Sequence, residues 1–313
     1  MFEQDNGRQE WQSYWHAGER ALQERHGVAE KIERLGARMI RDHMPDQHRA
    51  FYAQLPFILA GVVDAGGDPW ATLIEGRPGF MTSPDPRSLW IGGRPAEGDP
   101  ARGALGAGSP VGLLGIELHT RRRNRLNGRV IRAVDEGLEV AVEQTFGNCP
   151  QHITPRDARF AGPPGPSPEV AAERATGLDD EARKAISAAD TFFVASFTDG
   201  DGRPAHRTID VSHRGGKPGF VRASGDALTI ADYSGNMFFS TLGNLLSSRR
   251  AGLLFVDFDR GDVLQITGAA EVILEGEEIA SFEGAERLWR VRTERMVRRR
   301  GALSLRWKAA SPG

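Results

Sequence analysis

Cysteine is nearly missing from this chain. The single Cys149 in 313 residues excludes an intrachain disulfide and any zinc site built on several cysteines. Long apolar runs are missing too: none approaches the roughly 20 residues that a bilayer-crossing helix needs, so no membrane partner is expected. The opening Met1-Phe2-Glu3-Gln4-Asp5 is polar and acidic, unlike a signal or transit peptide, which makes the cytoplasm the expected location. Charge of one sign is also scarce. A net charge of −2 argues against a nucleic-acid footprint over the whole protein, although Arg121-Arg122-Arg123-Asn124-Arg125 and Arg298-Arg299-Arg300 are local basic runs. Such runs are either solvated faces or seats for a phosphate or carboxylate. No HExxH, Walker-type loop or GxSxG occurs, and Gly202, Gly215, Gly216 and Gly219 read as turn residues rather than a dinucleotide fingerprint. No metal site and no catalytic residue can be named from these motifs.

What is present is an ordinary folding composition, 39% hydrophobic and 26% charged, in a chain long enough for two cores. Residues 1–55 form a helical segment, with Trp11, Trp15 and Leu22, then Val28, Ile32, Leu35 and Met39, at helical spacing. The tryptophans read as core anchors. From residue 56 to 154 the pattern turns to strands: Phe57 to Val63, a turn at Asp64-Ala65-Gly66-Gly67-Asp68-Pro69, Trp70 to Ile74, Ser88 to Ile91, Val111 to Leu118 and Leu138 to Phe146. Gly98 to Gly108 has room for one helical turn. Residues 155–178, rich in Pro, Gly and Ser, read as an extended linker and the domain boundary. A second barrel-like run occupies 179–274, opening on a short helix and Thr191-Phe192-Phe193-Val194-Ala195-Ser196-Phe197. Residues 275–313 read as a C-terminal helix and tail, with Ile279, Phe282, Leu288, Val291 and Met296 on an apolar face.

The halves repeat at an offset of roughly 135–140 residues, too long for a solenoid and therefore a duplicated domain. Val62-Val63-Asp64 through Pro69 aligns with Phe197-Thr198-Asp199 through Pro204, and Pro78-Gly79-Phe80 with Pro218-Gly219-Phe220. Leu89 and Ile91 align with Leu228 and Ile230, Gly112 with Gly252, and Gly128 with Gly268. A fused duplicate tends to keep the geometry of a two-fold dimer, and ligands favour such interfaces, so a site between the halves is expected.

The second half resembles the pyridoxamine 5′-phosphate oxidase-like family. The resemblance rests on Gly202-Arg203-Pro204-Ala205-His206-Arg207-Thr208, Gly219-Phe220-Val221, Asp232-Tyr233-Ser234-Gly235-Asn236 and Phe239 to Leu245, and ends in Ala251 to Phe255. Phe146-Gly147-Asn148-Cys149-Pro150-Gln151 resembles a signature of a two-barrel subgroup of FMN-dependent enzymes. The resemblance implies a mainly β fold with flanking helices (α+β): two tandem split β-barrels with FMN between them. It places cofactor contacts at Arg207, Thr208, Phe220, Val221, Asn236, Phe239, Ser240, Thr241 and Asn244, with Asn148 and Gln151 beside the ring. Elementary chemistry agrees for the start of the helix near 240, whose free N–H groups and partial positive charge suit a phosphate. Capping chemistry is the other reading of Ser240 and Thr241, a surface ion pair that of Arg207, and barrel core that of Phe220 and Phe239. Cys149 is either a structural thiol or, with an activating base such as His152, a reactive one.

The implied activity is oxidoreduction with a small-molecule substrate and a donor such as NAD(P)H. The run Ile209-Asp210-Val211-Ser212 and the C-terminus lack the vitamin B6 oxidase's substrate-binding features. The alternatives are a flavin-binding sensory module without turnover and a haem-binding split barrel. The first half lacks a counterpart of the 236–244 cluster, so the second barrel is expected to hold the phosphate. A homodimer is compatible with all of this.

Overall fold

The computed structural model describes residues 13–164, 171–200 and 202–310. Trp11, residues 165–170 of the expected linker and the turn residue Asp201 lie outside them. Three helices open the chain: α1 (Ala17–Arg25), α2 (Ala29–Met39) and α3 (Asp46–Gln54). The start of α1 is fixed by a reciprocal cap, in which His16 accepts from the backbone at Gly18 while the Glu19 carboxylate accepts from the backbone at His16. Trp15 is buried against Phe238 and Ile32, as an anchor should be.

Two sheets of identical topology follow. The first is built from β1 (Phe57–Val63), β2 (Pro69–Glu75), β3 (Met81–Thr82), β4 (Ser88–Ile91), β5 (Pro110–Glu117), β6 (Arg122–Val134) and β7 (Gly137–Gly147), in the order β2-β1-β5-β6-β7-β4-β3. After β8 (Arg156–Phe160), β9 (Ala172–Ala175) and α4 (Asp180–Ala188), the second uses β10 (Thr191–Thr198), β11 (Thr208–Gly215), β12 (Val221–Ser224), β13 (Ala227–Asp232), β14 (Arg250–Val256), β15 (Val263–Ile273) and β16 (Arg287–Arg299). Its order is β11-β10-β14-β15-β16-β13-β12, the same path through equivalent strands. The helix α5 (Ser240–Ser248) sits between β13 and β14, where the first barrel has only a 3-10 turn at Arg102–Ala104. The chain closes on β17 (Leu305–Ala309), paired with β8.

Strand pairing sharpens the repeat. Leu59 pairs with Leu114 and that with Arg125, while Phe193 pairs with Leu254 and that with Gln265. The offset is therefore 134 residues at β1/β10 and 140 at β2/β11 and β5/β14. The match of Val62-Val63-Asp64 with Phe197-Thr198-Asp199 is one residue out, and Pro69 corresponds to Ile209 rather than Pro204, because the second hairpin loop is longer. Gly128 and Gly268 are true counterparts, each at a β-bulge in its sheet.

Two expectations fail. The segment 275–300 is not a helix: β16 lies inside the second sheet, between β15 and β13, so that barrel runs to 299 rather than 274. The cause of the misreading is a bulge. Thr267 pairs with Arg295 but Gly268 with Thr293, which leaves Glu294 unpaired and reverses the side-chain alternation. Val291 and Met296 therefore share one core, while Leu288 and Phe282 pack in another, so the expected apolar face is drawn from both faces of a strand. Nor is 155–178 a bare linker, since β8 and β9 pair with β17 and β16.

The barrels meet along β1, β2 and β5 of one and β10, β11 and β14 of the other, with Leu59, Ala71, Leu114, Phe193, Val211 and Leu254 in one shared core. The contact is two-fold in character. A Cβ on Gly112 would lie 2.3 Å from the carbonyl oxygen of Ile209, and one on the equivalent Gly252 would lie 2.3 Å from that of Pro69, the counterpart of Ile209. Only glycine lets the two backbones approach this closely.

Candidate functional site

At this junction, on the side of the second barrel's helix, lies a cleft open to solvent, with a cavity volume of about 130 Å³. The first barrel supplies Arg123 and Arg125 from β6 and the loop Asn148, Cys149, Gln151 and His152. The second supplies Ser212 to Gly215 from β11, the segment 231–237, and Phe239 to Leu242 at the start of α5. The strand period explains the floor: Asp210, Ser212 and Arg214 alternate along one face of β11, and Arg123, Arg125 and Asn127 along one face of β6. Arg125 donates to Asp210 Oδ1 at 2.8 Å and to Ser212 Oγ at 2.5 Å, and Asn127 donates to the same carboxylate oxygen of Asp210 at 2.8 Å. These bonds stitch the two barrels together beneath the cleft.

The 147–152 loop reaches across because β11 ends in glycine. A Cβ on Gly215 would fall 2.0 Å from the carbonyl oxygen of His152. The loop is held by Arg123, whose Nε donates to the Cys149 carbonyl at 2.6 Å, and by the ring of His152 stacked on Tyr233 at 5.4 Å.

The start of α5 is arranged as an open donor group. Met237 and Phe239 both have left-handed backbones (φ 61°), a costly conformation for such residues and one that clusters at functional segments. No side chain caps the helix, and its first internal bond runs from the Gly243 amide to the Phe239 carbonyl. The amides of Ser240, Thr241 and Leu242 therefore face the cleft without helical partners. Behind them α1 crosses α5 at a glycine–glycine contact, where a Cβ on Gly18 would lie 2.3 Å from the Gly243 carbonyl oxygen. That crossing buries Glu19 beneath the helix start, near the Ser240 hydroxyl. Burial, with Asp210 adding to it, raises the Glu19 carboxyl from 4.5 to about 8. At neutral pH it is a neutral acid and does not cancel the helix's positive end.

The cleft carries an excess of positive charge. Arg214 and Arg287 share Asp232, at 2.6 and 3.0 Å, Arg287 also pairs with Glu286 at 2.7 Å, and Arg125 has Asp210. Arg123 has no carboxylate partner among the described residues. Burial, and then the charges of Arg125 and Arg214, lower its guanidinium to about 10. Several polar atoms here are buried without a partner: Asn148 Nδ2, Arg214 Nε and both ring nitrogens of His213. Burial pushes His213 well below its ordinary range, so its ring is neutral. Buried donors without partners next to a surplus cation are what a missing anionic ligand would satisfy.

The sequence-expected contacts divide. Asn148, Gln151, Phe220, Asn236, Phe239, Ser240 and Thr241 all line the cleft. Arg207 does not: it pairs with Asp199 at 2.6 Å and lies over Phe197 in the β10–β11 hairpin. Thr208, exposed, begins β11 at the same far end. Val221 faces the second barrel's core, and Asn244 lies one helical turn deeper, donating to Ser196 and Asp210. The basic run 121–125 also divides, because Arg122 turns away to stack on Phe51. Sequence reasoning passed over Arg214, His213, Ser212 and Asp232. The alternation of β11 was the signal that could have found Ser212 and Arg214.

Residues 178–311 match the family model of pyridoxamine 5′-phosphate oxidase, a span that runs through β16 and β17. No curated protein matches. Among solved structures the chain is similar to HupZ of Group A Streptococcus, at 15% identity over 38% of this chain and 91% of that one, with a TM-score of 0.29. It is also similar to a FAD-binding protein of Mesorhizobium loti (12%, 41% and 97%, TM-score 0.27) and to HutZ, the haem storage protein of Vibrio cholerae (12%, 39% and 95%, TM-score 0.27).

Proposed function

We propose that the cleft binds FMN and that the protein is an FMN-dependent oxidoreductase whose electron donor is a reduced nicotinamide or a small electron carrier. The observation that carries this reading is Arg123: a half-buried guanidinium depressed by burial and neighbouring cations, beside a helix start whose amides are open. The donor set suits a phosphate monoester, with the Ser240 to Leu242 amides, the Ser240 and Thr241 hydroxyls and Arg123 or Arg125 converging on it. Phe239, fixed in the second barrel's core with His26 at 5.2 Å and Arg287 at 5.0 Å, borders the cleft. Asn148 and Gln151 supply amides for its polar edge. Bound there, FMN would supply electron transfer between donor and acceptor. The work of the chain is to hold the phosphate, orient the ring and exclude water with the 147–152 loop.

The test is the absorbance spectrum of the purified protein, with mass identification of whatever denaturation releases. Flavin absorbance and FMN are expected. Losing one charge-assisted contact is worth about 1.5–3 kcal/mol, so Arg123→Ala should weaken FMN binding at least about tenfold. A colourless protein that takes up no FMN ends this reading. FMN that NAD(P)H and varied acceptors cannot cycle would leave a binding module without turnover. A second reading, a haem site, is favoured by one feature, the neutral His213 ring with both nitrogens unpartnered. A Soret band on haem titration that His213→Ala abolishes would support it.

A further inference from the structure

The two-fold relation between the barrels predicts a twin of the cleft on the opposite side of their junction, and the residues there can be named. Ser212, Arg125 and Asn148 of the cleft correspond to Thr72, Gln265 and Arg299. Strand pairing fixes each correspondence: Thr72 pairs with Ala60 as Ser212 does with Val194, Gln265 with Leu254 as Arg125 does with Leu114, and Arg299 neighbours Val263 as Asn148 neighbours Arg123. By count along the chain, Phe239, just before α5, is matched by Asp99, three residues before the 3-10 turn. Each lies thirteen residues before the junction glycine, Gly252 or Gly112.

At this twin position the Asp99 carboxylate meets all three counterparts. It accepts from Thr72 Oγ1 at 2.6 Å, from Gln265 Nε2 at 3.1 Å and from Arg299 at 2.5 Å. Its remaining bond is to the amide of Ala101 at 2.8 Å, the counterpart of the open Thr241 amide. Asp99, Gln265 and Arg299 are all buried. The first barrel thus holds a carboxylate in a complete set of anion donors, while in the second Arg125 is held by Asp210 and Ser212, and the Asn148 amide and the uncapped Thr241 amide are left open to the cleft.

We infer that the first barrel contains a latent anion site permanently filled by its own Asp99, so that the chain binds one phosphate-bearing ligand and not two. The assignment of one ligand rests on the reading of the cleft as the FMN site; the filled twin site does not. By the same correspondence, the Thr241 amide and Asn148 Nδ2 are the donors left for an anion in the open cleft, beside Arg123. The chemical class that fits the latent site once vacated is a small oxyanion, a carboxylate such as formate above all.

Two measurements test this. FMN titration of the full chain should saturate at one equivalent, and saturation at two overturns the inference while leaving the cleft reading intact. Absence of any FMN binding overturns the cleft reading alone, and the second measurement then decides. Asp99→Ala should lower the melting temperature, and formate should restore it saturably, against chloride at equal ionic strength and by more than it shifts the wild type. A folded Asp99→Ala protein with no formate-specific recovery overturns the latent site. Should the variant not fold in chloride, a higher refolding yield in formate than in chloride supports the latent site, and equal yields overturn it.

Discussion

Glu19, beneath the cleft, has a protonation state that experiment can reach. Glu19 keeps its proton in the folded chain up to about pH 8, whereas an unfolded glutamic acid loses it near 4.5. Below 4.5 both states hold the proton and above 8 neither does, so its contribution makes stability fall as pH rises between these limits and level off beyond. Glu19→Gln should remove that slope, by an amount on the order of a few kcal/mol, and thermal denaturation of both proteins across the pH range measures it. An unchanged slope would show that Glu19 does not titrate in this window. Arg207 is the contrasting case. Its pairing with Asp199 and distance from the cleft predict that Arg207→Ala leaves FMN affinity within about twofold, where Arg123→Ala does not; parallel titrations separate the two.

At the scale of elements, the site exists because three backbone segments are allowed to come close. The α1–α5 crossing, the seat of the 147–152 loop on Gly215 and the junction at Gly112 and Gly252 each lack room for a Cβ. Gly215→Ala should push the loop off β11 and lower stability by about 1–3 kcal/mol, the usual range for overpacking. Since the loop carries Asn148 and Gln151, the same variant should also bind FMN more weakly. Chemical denaturation and titration of one preparation report both effects, and a variant that loses stability but not affinity would detach the loop from the site.

For the whole molecule, the position of β16 decides what can be removed. A chain ending at 274 would lack a strand that pairs with β15, β13 and β9. It would also lack Val297, which packs into the first barrel's core. Such a truncation should give no cooperative unfolding transition, whereas a dispensable C-terminal helix would have left one; circular dichroism on heating distinguishes these. The barrels also share a buried core and the Arg125–Asp210 pair, so they should unfold together rather than as independent domains.

Alternating strands, turn residues and the repeated glycines made two barrels legible from the sequence, because those patterns are local consequences of strand pleat and backbone freedom. The family resemblance pointed to Asn236, Phe239, Ser240 and Thr241, with the chemistry of a helix start agreeing at Ser240 and Thr241, and all four line the cleft. Tertiary structure decided the rest. Arg207 looked like a phosphate ligand until its hairpin partner Asp199 was seen, and the bulge at Glu294 disguised a strand as a helix by reversing its alternation. Arg123, Arg125, Ser212 and Arg214 meet only because strands far apart in sequence cross at the barrel junction. Above all, the difference between an open cleft and its filled twin depends on where one carboxylate, Asp99, points, and its partners Thr72, Gln265 and Arg299 come together only in the fold.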